Sequence, residues 1–252
     1  MFFDIDHTLV SHVGGAHIPP PTREAVQLLK EKGHVPAIAT GRGDFLARGV
    51  ARELGIGLRV CADGANIVSR DRELYAAWLP DSALASFRET ASRYPGISAA
   101  LDDRFIYTDS RDFDEYFAAQ AGYPCVRPLA EMRRALMCYL MIPPGEVTED
   151  CGLFFSPPGG VRLEFMRGFV EARADGTTKW LGIRRALALS GADERDVVAF
   201  GDGPNDAEML ANASPGVAVG KCSSEAREAA AFQSGDIDEG GILAACRELD
   251  LI

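Results

Sequence analysis

The chain has 252 residues, 47% hydrophobic and 25% charged, which is ordinary usage for a globular protein of one to two domains and excludes a minimal disulfide-stapled scaffold. Its 26 basic residues against 37 acidic ones give a formal net charge of -11. That balance opposes nonspecific attraction to nucleic acid or anionic lipid, so any anionic substrate must be welcomed by local groups.

Residues 1–5 form a short apolar run around Asp4 and read as a strand, followed by a Gly/Pro-rich loop over residues 11–21. From Thr22 the spacing of Ala25, Val26, Leu28 and Leu29, with Gly33 just beyond, predicts an amphipathic helix. Residues 34–40 follow as a buried strand. Asp44 opens a second helix carrying Phe45, Leu46, Val50 and Leu54, and residues 58–61 give a third strand. Alternating strand and helix implies parallel pairing.

The rhythm changes after Ile67. A turn at 70–72, a helix at 81–94, a hairpin of 97–101 with 105–108 through Asp102 and Asp103, and strands at 136–142 and 161–165 suggest an α+β insert, with a turn at 157–160. The first rhythm returns at Lys179 with a helix bearing Trp180, Ile183 and Leu187. A strand at 197–200, a helix near 206–210 and a strand at 217–219 complete it. The fold class expected is therefore α/β, a doubly wound and mostly parallel sheet with an inserted α+β cap: residues 1–79 and 175–252 as core, 80–174 as cap. No apolar run is long enough to cross a bilayer. The six cysteines, at 61, 125, 138, 151, 222 and 246, are spaced too widely for a CxxC pair and read as free thiols. A reducing, cytoplasmic setting is expected, with no nucleic-acid or membrane partner.

Three polar positions follow apolar strands directly: Asp4, Thr40 and Asp202. In an open parallel sheet, ligands bind beyond the carboxyl ends of the strands, so these positions can meet at one edge. Asp4 and Asp6, with one residue between them, begin on the same face of a strand. Asp202 and Asp206 flank a turn of Gly203, Pro204 and Asn205. Four carboxylates gathered at one edge need a positive partner, and a hard, oxygen-coordinated Mg²⁺ suits them; no histidine or cysteine cluster argues for zinc. With the cation present, one carboxylate can approach and attack an anionic phosphoryl group.

The ordered set D-I-D-H-T at 4–8, A-T-G-R at 39–42, Lys179 and G-D-G-P-N-D at 201–206 resembles the haloacid dehalogenase superfamily. A-D-G-A at 62–65, D-G-T-T-K at 175–179 and the long insert after the third strand resemble its Cof-type sugar-phosphatase branch. The resemblance implies a phosphatase in which Asp4 is the nucleophile forming an aspartyl-phosphate and Asp6 is the acid and base. It further implies that Thr40 hydrogen-bonds the phosphoryl group, Lys179 offsets its charge, and Asp202 joins Asp4 and the Asp6 carbonyl around Mg²⁺. Asp206 would hold metal-bound water, and Gly41, Arg42 and Asn205 would contact phosphate or shape the loop. The substrate implied is a small phosphorylated metabolite, a sugar phosphate first. A mutase of the phosphomannomutase type and a binding module without turnover are the alternatives.

Taken singly, these residues have blander readings. Asp-x-Asp often caps a turn, G-D-G-P-N-D is made of turn residues, and T-G-R-G at 40–43 fails as a dinucleotide loop because Leu46 stands where the third glycine belongs. His12 and His17 read as surface histidines. Trp78, Tyr94, Phe105 and Tyr107 fit either a pocket or the insert's core. Two positions depart from the family pattern: His7 replaces a glycine, and Asp63 stands where asparagine is common. Only three residues precede Asp4, which leaves a short first strand and implies a start further upstream.

Overall fold

A computed structural model describes residues 1–111, 126–141, 157–166 and 168–252. In chain order the first half contains β1 (Phe2–Phe3), α1 (Pro20–Glu31), β2 (Ala37–Ala39), α2 (Asp44–Leu54), β3 (Leu58–Cys61), β4 (Asn66–Ser69), β5 (Arg72–Ala76), α3 (Asp81–Arg93), β6 (Ser98–Leu101) and β7 (Ile106–Thr108). The second half contains β8 (Val126–Arg127), β9 (Met137–Met141), β10 (Val161–Met166), β11 (Phe169–Ala174), α4 (Lys179–Ser190), β12 (Ala199–Gly201), α5 (Ala207–Asn212), β13 (Gly216–Ala218), α6 (Ser224–Ala229), β14 (Phe232–Gln233) and α7 (Gly241–Glu248). They fall into two compact units. One comprises Met1–Arg42, Ala47–Leu74 and Thr178–Ile252; the other comprises Gly43–Leu46 and Tyr75–Thr177.

The first unit is built on an eight-stranded sheet of order β14-β13-β12-β1-β2-β3-β4-β5. Neighbours from β14 to β3 pair in parallel, and β4 runs antiparallel to β3. Parallel strands are covered on both faces, which is why they read as continuous apolar runs. Phe3 of β1 and Phe200 of β12 stack with ring centroids 4.7 Å apart, and Ile5, Leu29, Ile38 and Val217 fill the same core. The chain winds outward from β1 in both directions, so the switch point of the sheet lies where β1 stands between β2 and β12. The expected doubly wound α/β fold is the one found.

Helix α1 begins at Pro20, two residues before the expected start. A proline ring fixes φ near its helical value and lacks the N–H that a first turn cannot use, so Pro20 and Pro21 fit the first turn. The segment expected as a helix at 206–210 opens with a 3-10 turn, Pro204–Asp206, before α5. Strand β1 is shorter than residues 1–5, because after Phe3 the chain turns into the site.

The second unit has a six-stranded sheet of order β10-β11-β9-β6-β7-β8, antiparallel except where β7 meets β8. Phe87 of α3 is buried with Ala100, Tyr107, Cys138, Leu140, Val170 and Ala172. The hairpin of β6 and β7 closes through Asp102, whose carboxylate accepts the N–H groups of Arg104 and Phe105, both at 2.7 Å. Tyr107 belongs to this core, Tyr94 and Phe105 pack partly against it, and Trp78 lies under the Arg134 guanidinium. Strands β4, β5, β8, β11 and β14 and helices α6 and α7 were not expected. Cys125, Cys151 and Ile142 lie outside the described residues. Cys138, Cys222 and Cys246 are buried thiols, and no described helix is long and apolar enough to cross a membrane.

Candidate active site

The carboxyl ends of β1, β2 and β12 each deliver a polar side chain, buried for the first two and half-buried for the third, and the start of α4 delivers a fourth, buried one. Asp4 follows β1, Thr40 follows β2 and Asp202 follows β12; Asp4 is 7% exposed and Thr40 1%. Lys179 is the first residue of α4, where Thr178 caps the helix by accepting the Leu181 N–H at 3.1 Å. A cation in a first turn opposes the helix dipole. Here it is 2% exposed and donates from Nζ to Asp4 Oδ1 at 2.7 Å and to Asp206 Oδ1 at 2.6 Å.

Close backbone approach puts that lysine in place. A Cβ on Gly182 of α4 would stand 2.6 Å from Gly64 Cα, so glycines at both positions let the helix end settle against the turn after β3. Gly201 serves Asp206 in the same way, since a Cβ there would lie 2.5 Å from the Asp206 Cγ. With that space open, Asp206 Oδ2 accepts the N–H groups of Asp202 and Gly203, each at 2.9 Å. Asp206 thus shapes the 202–206 turn and grips Lys179 at once.

Asp6 faces other partners. Its carboxylate takes a two-pronged contact from Arg42, with Nε donating to Oδ2 at 2.8 Å and Nη2 to Oδ1, and His12 Nε2 lies 2.7 Å from Oδ1. His12 is therefore not a plain surface histidine. The bridges Asp6–Val10 and Ser11–His17 fold the loop back and return His12 to Asp6, while His17 remains an exposed residue. His7 sits at φ 57°, a left-handed conformation that explains why a glycine suits this position. Thr8 donates to Asp202 Oδ1 at 2.7 Å. Thr8 was visible only as the last letter of D-I-D-H-T, and nothing in the sequence linked it to Asp202 or His12 to Asp6.

Thr40, Gly41 and Arg42 share the turn after β2. Thr40 Oγ1 accepts the Arg42 N–H at 3.2 Å, and the main chain of Asp63 reaches back to the Thr40 carbonyl at 3.1 Å. Asn205 joins this side of the site, donating from Nδ2 to Asp63 Oδ1 at 3.1 Å.

The charges are unbalanced. Burial pushes Asp4 well above the usual carboxylate range, with the negative charges of Asp206, Asp202 and Asp6 adding to it against the pull of Lys179. Burial also lifts Asp202 to about 7, although the Thr8 hydrogen bond works the other way. Burial disfavours a charged Lys179, but Asp206 and Asp4 outweigh it and hold the ammonium protonated. For Asp6 burial is again unfavourable, yet the Arg42 guanidinium and His12 hold it below the usual range.

Carboxylate oxygens of Asp4, Asp202 and Asp206 lie within 4.8 Å of one another. One ammonium among three carboxylates leaves negative charge uncompensated, and the donors are all oxygen. That is the donor set of a hard divalent cation. The Asp6 carboxylate is not in this group.

The model of the haloacid dehalogenase-like hydrolases, Hydrolase_3, matches residues 1–124 and 162–245. Bacillus subtilis (strain 168) has a relative provisionally named as a phosphatase, YkrA. It is 28% identical over 256 residues, covering 100% of this chain and 98% of its own length. The crystal structure of a hypothetical protein from Geobacillus kaustophilus HTA426 superposes with a TM-score of 0.84 at 30% identity, covering 100% of this chain and 98% of that one. A sugar phosphatase of subclass IIB in the same superfamily also gives a TM-score of 0.84, at 24% identity and with the same coverage. That last likeness is one of fold.

Proposed function

The chain belongs to the haloacid dehalogenase-like hydrolase family and is a phosphatase of that family; we infer that it hydrolyses a small phosphomonoester, a sugar phosphate first, through a phosphoryl group held covalently on Asp4, with Mg²⁺ as cofactor. The observation that carries this reading is the buried Lys179 ammonium bridging Asp4 and Asp206 beside Asp202. A net charge of -11 would repel a phosphate ester, and Lys179 and Arg42 supply the local attraction.

Asp4 attacks phosphorus through a carboxylate oxygen, forming the acyl-phosphate bond as the bond to the leaving oxygen breaks. Asp6 donates a proton to that oxygen. Asp6 then takes a proton from water as the water oxygen attacks phosphorus, which releases inorganic phosphate and restores Asp4. At rest Asp6 is ionised in the grip of Arg42; an incoming phosphoryl group competes for the guanidinium and returns Asp6 toward its protonated form. Thr40, the Gly41 N–H, Lys179 and Asn205 hold the phosphoryl oxygens. Asp4, Asp202 and the Asp6 carbonyl would hold Mg²⁺, with the Asp206 carboxylate beside them, and the ion would supply the charge that lets a carboxylate approach an anionic phosphoryl group.

Residues 80–174 are the cap in this reading, and substrate preference resides there. The buried thiols at Cys138, Cys222 and Cys246 support a reducing, cytoplasmic setting. The test is phosphate release from p-nitrophenyl phosphate with Mg²⁺. Release that stops with EDTA and in Asp4→Asn supports hydrolysis; binding without release, or full activity in Asp4→Asn, contradicts it.

A further inference from the structure

We propose that Asp63 is a positioning residue for phosphoryl binding: it sets which way the Asn205 amide faces. The inference rests on the phosphoester reading above and deepens it at one residue. Asp63 is 3% exposed, and its backbone lies at φ 44°, ψ 47°, directly after Ala62 at φ 49°. Left-handed backbone at two successive residues that both carry a Cβ costs free energy and persists only where neighbours impose it. The neighbours here are the phosphoryl-handling turn itself. Ala62 N–H donates to the Arg42 carbonyl at 2.9 Å, and Asp63 N–H to the Thr40 carbonyl at 3.1 Å.

The kink delivers the Asp63 carboxylate among the turns that carry Gly41 and Asn205 and toward the start of α4 at Lys179. Oδ1 accepts from Asn205 Nδ2 at 3.1 Å, while Oδ2 lies where a Cβ on Gly41 would be 3.3 Å away. The same negative charge helps to keep Lys179 protonated. The Asp63 carboxylate is the acceptor, so Asn205 turns its NH₂ toward Asp63. Its Oδ1 then settles beside Gly203, where a Cβ would come within 2.7 Å. One N–H of Asn205 stays available to donate to an anion. Asparagine at position 63 carries both a donor and an acceptor and permits either amide orientation, one of which presents a carbonyl oxygen to the phosphoryl group.

The test is a double-mutant cycle of Asp63→Asn and Asn205→Ala, reading KM and kcat for p-nitrophenyl phosphate and Kd for inorganic phosphate, all with Mg²⁺. Each single variant is expected to weaken KM and Kd by roughly fivefold to tenfold, as for one lost hydrogen bond to a charged ligand, with the loss falling on KM. The double variant is expected to be no weaker than Asn205→Ala alone, because Asp63 acts through Asn205. Asparagine tolerates left-handed backbone, so Asp63→Asn should keep its melting temperature, which separates positioning from a structural defect. Phosphate binding by Asp63→Asn as tight as wild type or tighter, or losses that multiply in the double variant, would overturn the proposal. If the wild type binds phosphate but hydrolyses nothing, the functional reading fails while the coupling is still measured from Kd.

Discussion

Asp6 and Arg42 show how far one pair of side chains sets the chemistry. Burial alone would raise Asp6; the guanidinium fork and His12 reverse the sign. Arg42→Gln removes the larger opposing contribution and lets burial act. In the free enzyme Asp6 then keeps its proton to higher pH, so the basic limb of the kcat/KM profile, where the acid for the leaving oxygen is lost, is expected to move upward relative to wild type. A profile with both limbs unmoved would remove Arg42 from this role. At this scale the acidic residues were legible in the sequence because their order and spacing are distinctive. His12 was not, because an irregular loop with two isolated bridges returns it to Asp6, and irregular loops leave no periodicity to read. Arg42 was legible as a site residue, but only the geometry shows that it holds Asp6.

Among the elements, α4 carries the clearest link from sequence to site. Its start at Lys179, its Thr178 cap and its end at Gly191, with φ 71°, follow ordinary helix rules, which is why its start was readable. What could not be read is that Gly182 and Gly64 touch across the fold. Thr178→Ala should cost about 1 kcal/mol of stability from the lost cap. Gly182→Ala should cost roughly 1–3 kcal/mol by overpacking, and because it pushes the Lys179 end of the helix outward it should also lower activity. Chemical denaturation with parallel kinetics checks the pair, and a Gly182→Ala protein of wild-type stability would contradict the packing argument. Strand β11 went unseen for a different reason. Its Glu171 and Arg173 look like solvent residues, yet Arg173 is buried and paired with Glu164 and Glu171, so a strand that is polar by letter is inward by structure. Strands β4 and β5 flank a tight reversal at Arg70, φ 56°, and the polar residues around that turn masked the pairing on either side of it.

For the molecule as a whole, the parallel sheet concentrates negative charge at one edge of a chain that is already acidic. Asp202, lifted from 3.8 to about 7, binds more protons folded than unfolded between those values. The stability it contributes is fully present below the unfolded value and is lost as pH rises through about 7. In EDTA the melting temperature should therefore fall across neutral pH. Added Mg²⁺, which competes with those protons, should raise it more at the alkaline end than at the acidic end. A magnesium increment independent of pH would mean that the cation is not held by these carboxylates. The overall architecture was legible because alternating apolar runs and helices specify a parallel sheet, and its switch point then gathers residues from distant segments.

The most direct test is to quench Asp6→Asn during turnover of a phosphate ester labelled on phosphorus, and to map the label by peptide. The account predicts acid-stable, hydroxylamine-sensitive label on the peptide that contains Asp4, accumulating because the base that activates water is gone. Undiminished phosphate release by this variant, with Asp4 unlabelled at every time point, would contradict it.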